Sequence, residues 1–145
     1  MDFIPLLNLG LKSDPILELL ELWDCEVVYD FDRNHENIPD KYWARAEEEG
    51  VLFRFDEDQQ LRCIFLHVTT KDGFSSIDLT STDIHEFETI EKVRSYASQN
   101  NISISNGHTT LFGQPRDWAR LEFDDHWVHY EFRDGVLAVV TLTAA

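Results

Sequence analysis

The chain has 145 residues and carries 28 Asp+Glu against 12 Lys+Arg, a formal net charge of −16. That length suits one domain, and 43% hydrophobic with 12% aromatic residues is too apolar for a disordered acidic tail. The charge excludes duplex nucleic acid as a direct ligand, because binding it needs a basic face that releases counterions, and it disfavours anionic membrane surfaces for the same reason.

In chain order, Met1-Asp2-Phe3-Ile4-Pro5 puts an acid where a secretion signal has its positive region, so the expectation is a cytoplasmic protein. No stretch approaches the roughly 20 apolar residues of a membrane span. Residues 15–23 read as a helix, with Asp14 as N-cap, Pro15 at the first position and Ile16, Leu17, Leu19, Leu20 and Trp23 on a broad apolar face. Residues 26–32 read as a strand with acids at alternate positions, and 34–40 as a polar loop. A hairpin is expected from 51–55 and 61–68, turning at 56–60. The joint between two halves falls at 70–76. A second helix is expected from the N-cap Thr89 to Gln99, stopped by Asn100-Asn101. Strands follow at 102–105, 109–112, 118–123, 126–132 and 136–142, with Asn106-Gly107-His108 read as a hairpin turn.

The halves resemble each other. Tyr42-Trp43-Ala44-Arg45-Ala46-Glu47 answers Asp117-Trp118-Ala119-Arg120-Leu121-Glu122 at an offset of 75, and 61–66 answers 137–142 at 76. One domain over 1–145, built from internal repeats at about 9–70 and 84–143, is therefore expected. A helix followed by a meander leaves one sheet face bare, so two copies must pack together. The fold class expected is α+β: two tandem helix-plus-antiparallel-meander repeats packed into one domain. An exposed edge at 102–105 or 136–142 would permit a homodimer.

No catalytic signature is present, and the chain is read as a non-enzyme with no cofactor and no metal. His126 and His129 are three apart, which on a strand puts them on opposite faces. His129 and Glu131 share a face beside Trp127, and they define the alternative of a small metal-dependent or acid–base enzyme. Cys25 and Cys63 lack metal-ligand spacing, and Cys63 suits plain burial.

The acids are grouped. Residues 1–72 carry 17 acids and 7 bases (net −10), and 73–145 carry 11 and 5 (net −6). Solubility alone explains most acidic surfaces. A sharper reading comes from acids beside aromatics, because Trp anchors interfaces while rows of charge steer a partner of opposite sign. That points to a partner-binding set of Asp30, Asp32, Glu36, Asp40, Trp43, Glu47, Glu48, Glu49, Asp124, Asp125 and Trp127. Trp23 and Trp118 are assigned instead to the core.

Gly113-Gln114-Pro115, Trp118, His129-Tyr130-Glu131-Phe132, Asp134-Gly135 and Val140-Thr141-Leu142 carry a family likeness, supported at the front by Leu9-Gly10 and by Asp14-Pro15 with its Leu-rich helix. With these the chain resembles the immunity proteins encoded beside bacterial polymorphic toxins. Its repeat layout is similar to tandem domains of the outer-membrane assembly lipoprotein and β-lactamase-inhibitor kind, without the former's signal peptide and lipidated cysteine. The resemblance implies a stoichiometric inhibitor that binds a cognate basic toxin, a nuclease by charge logic, in the producer's cytosol and covers or distorts its active site. A general acidic protein-binding module is the third reading.

Overall fold

Eight segments pair into one antiparallel sheet, and the six inner ones alternate buried apolar residues with outward ones at the strand period. The computed structural model describes residues 1–70 and 72–145; Lys71, inside the expected joint at 70–76, lies outside the described residues. The strands are β1 (Val27–Asp30), β2 (Lys41–Ala46), β3 (Val51–Phe55), β4 (Leu61–His67), β5 (Ser103–Leu111), β6 (Gln114–Glu122), β7 (His126–Arg133) and β8 (Val136–Ala144). Their order across the sheet is β1-β2-β3-β4-β8-β7-β6-β5. Two meanders thus meet along β4 and β8, in the register Cys63 to Thr143 through His67 to Val139.

Two short α-helices, α1 (Asp14–Leu22) before the first meander and α2 (Ile90–Gln99) before the second, and two 3-10 turns, Ile4–Leu6 and Leu79–Ser81, complete the structure. Ser13, rather than Asp14, occupies the N-cap of α1, and Asp14 sits in the first turn beside Pro15. The helix ends because Asp24 turns left-handed (φ 49°). Thr89 caps α2 as expected, its Oγ accepting from Lys92 N at 3.3 Å. No helix among the described residues is long and apolar enough to cross a membrane.

One face of the sheet is the core. Ala44, Phe53, Ile64, Val140, Leu142 and Ala119 are buried there, in one cluster with Ile16, Leu19 and Leu20 of α1 and Val93 and Ala97 of α2. Tyr130 belongs to the same face and donates its hydroxyl to the His85 carbonyl at 2.7 Å. No polar or charged residue is buried among those described, so the core rests on apolar burial and backbone pairing.

The expected α+β class is overturned. Helix takes 17% of the molecule and strand 42%, which makes it a mostly β structure dominated by one eight-stranded antiparallel sheet with two short helices. Two local features explain the underestimate of strand. Residues 41–46, not read as an element, form β2, although its outward positions are aromatic and basic (Trp43, Arg45). Residues 106–108, read as a turn, lie mid-strand in β5 and pair with Ala119, Trp118 and Asp117. The edge expectation also changes: β8 is paired on both sides, so 136–142 is no edge, whereas 102–105 reaches into β5, which is one.

Gly107 shows why a turn signal sits inside a strand. A Cβ there would lie 2.6 Å from Nε1 of Trp118, whose indole lies across the glycine backbone. Glycine in a strand often marks such a close approach. Gly107→Ala should push the indole away, lower stability by about 1–3 kcal/mol, and change the Trp fluorescence; urea denaturation followed by fluorescence checks both, and an unaltered midpoint would contradict the packing described.

Candidate functional site: the open sheet face and its acidic rim

Alternation forces every second residue of each strand onto the face opposite the core. Across the sheet these residues form continuous rows. One row, read through the registers, runs Val28, Trp43, Arg54, Cys63, Thr143, Trp127 and Glu122. The next contains Arg45, Leu52, Phe65, Thr141, His129 and Arg120. Most of these side chains are half-exposed, and both helices bury their apolar stripes in the core on the other side.

The face is an aromatic and guanidinium surface. Trp43 stacks on Phe65 (centroids 6.4 Å apart), Arg120 lies over Trp127 (4.3 Å), and Trp118 stacks on His129 (5.3 Å). Arg54 donates to Cys63 Sγ at 2.9 Å. The Trp-Ala-Arg tripeptide at 43–45 and 118–120 makes much of this surface, because each copy points Trp and Arg outward while Ala44 and Ala119 are fully buried. Arg45, Arg54, Arg116, Arg120 and Arg133 gather here, five of the chain's 12 basic residues. A strongly acidic molecule therefore segregates its charge.

Trp43 and Trp127 share a row, four strand steps apart, or about 19 Å at the usual spacing. Trp23 packs at the core boundary against Phe53 (6.1 Å) and Phe3 (6.4 Å), as assigned. Trp118 does not: it stands on the open face, and the core assignment is corrected. Its signal was the strand parity that buries Ala119 and Leu121, which forces Trp118 outward.

The predicted acids divide into groups at the rim. Asp30 ends β1, and Asp32, Glu36 and Asp40 belong to the loop 31–40 that frames a cleft of about 400 Å³ with Phe31, Arg33 and Ile38. Within that loop Asp32 accepts from Glu36 N (2.9 Å) and Ile38 N (3.3 Å), and Asp40 accepts from Asp32 N (3.2 Å) and the Tyr29 hydroxyl (2.5 Å). Those two carboxylates hold the loop together. The bond to Asp40 pushes the Tyr29 pKa up to about 12. Asp30 and Glu36 make no ion pair among the described residues. Asp124 and Asp125 lie at the same end of the sheet, in the β6–β7 turn. Asp125 binds His126 Nδ1 at 2.6 Å, which lowers its pKa. Glu47, Glu48 and Glu49 lie at the opposite end, in the β2–β3 turn, where Glu47 pairs with Arg45 at 3.0 Å. These groups surround the open face without converging on one point.

The His129–Glu131 alternative finds its carboxylate engaged elsewhere. Glu131 holds Arg133 at 2.7 Å and Arg116 at 3.9 Å, while His129 lies under Trp118. Among the described residues no three His, Cys, Asp or Glu side chains are placed to hold a metal. Burial is the largest influence on His129 and pulls its pKa below the ordinary 6.5, with Glu131 opposing and Arg120 reinforcing.

That shift has a stability consequence with a definite sign. The folded pKa lies below the unfolded one, so the unfolded chain takes up the proton first as pH falls. The stabilisation present above about pH 6.5 is lost progressively as pH drops to the folded value. His129→Gln should flatten this part of the stability–pH curve, measured by thermal melts between neutral and mildly acidic pH, and parallel curves for the two proteins would contradict it. No protein-family model, curated protein or solved structure matches this chain.

Proposed function

We propose that this chain is a stoichiometric protein inhibitor of the immunity type, binding a cognate basic toxin domain in the cytosol of the cell that makes both. A toxin that acts on nucleic acid is the target class we favour, because an enzyme with a basic substrate groove is the partner an acidic inhibitor can saturate. The observation that carries this reading is the open face, with Trp43, Trp118 and Trp127 half-exposed on a rigid sheet and acids at both ends. Tryptophan and arginine are the residues that dominate binding energy at protein interfaces. The acids supply steering, raising the rate of encounter with a basic partner before the aromatic face docks.

Division of labour between rim and face gives separable expectations for complex formation with the product of the reading frame immediately upstream. Trp127→Ala should weaken the complex by about 2 kcal/mol, expressed chiefly in the dissociation rate, because it removes a central anchor. Glu48→Lys with Glu49→Lys should instead slow association by about tenfold at low salt, an effect that fades as salt rises. Surface plasmon resonance at two ionic strengths measures both. A purified upstream product that does not bind the wild-type chain would remove the inhibitor reading.

A further inference from the structure

β1 is a short sheet edge whose side chains are mostly apolar and exposed. It pairs with β2 alone, in an unbroken register from Val27–Ala44 to Asp30–Lys41, and all four of its residues are exposed. Val27 (40%), Val28 (55%), Tyr29 (46%), Phe31 (47%) and Ile38 (48%) make this edge and its loop the largest group of exposed apolar side chains in one stretch of chain. Edge strands are normally blunted by lysine, proline or a bulge. β1 has none of these, its protection being its four-residue length and Asp30, whereas the opposite edge, β5, is built apart from Ile104 and Leu111 of Ser103, Ser105, Asn106, His108, Thr109 and Thr110 around its glycine.

The sequence around β1 also states what would fit. Within β1, strand parity puts Val27 and Tyr29 on one side and Val28 and Asp30 on the other, with Glu26 just before the strand and the acids of the loop 31–40 just after it. An incoming strand would meet Val27 and Tyr29 on one of its faces, Val28 and Asp30 on the other, and further acids at both ends of the edge. Between 26 and 41 the chain holds five acids (Glu26, Asp30, Asp32, Glu36, Asp40) against two bases, Arg33 and Lys41. Arg33 lies over the Phe31 ring (5.1 Å), and Lys41 stands opposite Asp30 on β2. Two copies of this edge brought together would oppose like charges, which destabilises a strand pair. The complement is a basic strand.

We propose that β1 is a strand-addition site that takes an extended segment of a partner protein in which basic residues alternate with apolar ones. Main-chain hydrogen bonds supply affinity, and the alternating rows set register and orientation. The inference rests on the reading above that the partner is basic, and it specifies how one segment of that partner is held.

Three probes test it on the intact chain: a short end-blocked peptide of alternating Lys and Val, its Glu–Val counterpart, and the Lys–Val peptide N-methylated at alternate amides to remove one hydrogen-bonding edge. Amide hydrogen exchange is read over residues 26–31. The Lys–Val peptide should slow exchange there by about tenfold or more, and the other two should not. Val28→Lys should abolish the protection while leaving the melting temperature unchanged, since the side chain is exposed. No slowing by the Lys–Val peptide overturns the proposal, as does equal slowing by the N-methylated or the Glu–Val form. A chain that sediments as a dimer and becomes monomeric with Val28→Lys also overturns it, because a second copy then fills the edge. The two readings fail separately. An upstream toxin that binds without protecting 26–31 removes strand addition and leaves the inhibitor; peptide protection with no toxin binding does the reverse.

Discussion

The pairing of β4 with β8 is the constraint on which everything else depends. It joins the two meanders, and its register decides which side of every strand faces the helices. Ile64, Leu66, Val140 and Leu142, on the two sides of that seam, are completely buried. A slip of one residue would turn Cys63, Phe65 and His67 into the core and expose Ile64 and Leu66, because strand side chains alternate. The open rows from Trp43 to Trp127 are continuous only because Cys63 meets Thr143 in this register. Open face and core are therefore two outcomes of one pairing.

From that seam follows the separation of charge. The core face buries no charged residue among those described, so bases and acids alike are left to the open face, the margins of the core face, the connections and the outer sides of the helices. Arginine concentrates on the open face, where its guanidinium can lie over an aromatic ring as Arg120 does over Trp127 and Arg45 does over Phe74 (4.6 Å). Carboxylates concentrate in the turns, where several serve the backbone: Asp32 and Asp40 hold the 31–40 loop, Asp56 accepts from Asp58 N and Gln60 N, and Asp83 ties down Phe3 N and Ile4 N at 2.9 Å each. A net charge of −16 is thus partly local turn chemistry.

Much of the local structure was legible in the residues. Thr89 and the Asn100-Asn101 stop bracket α2, and the strand expected at 126–132 is β7, with Val128 and Tyr130 inward and Trp127 outward. The helix-weighted fold class was not, because the strands missing from that reading are hidden by their surroundings. β2 carries Lys41, Trp43 and Arg45 on its outward positions, which resembles a polar loop until its partner strands are known. Asn106-Gly107 is a strong turn signal overruled by Trp118 of the neighbouring strand, a contact fixed by tertiary pairing rather than by local sequence. The parity that turns Trp127 outward beside Val128 and Tyr130 applies equally to Trp118 beside Ala119 and Leu121, and it outweighs the general tendency of tryptophan to be buried. Of the candidate site, the acids and Trp43 and Trp127 were visible as residues. Their arrangement was not, since a shared row across five strands depends on the β4–β8 seam.

The four tryptophans offer a direct test that one face recognises a partner while the other only packs. Trp43, Trp118 and Trp127 report the open face, and Trp23 reports the core boundary. With all four replaced by 5-fluorotryptophan and assigned by single substitutions, ¹⁹F spectra are recorded as the upstream toxin domain is added. The expected result is that the three open-face resonances shift or broaden on complex formation while that of Trp23 stays in place. A complex that forms with those three signals unmoved would contradict the assignment of the open face as the binding surface.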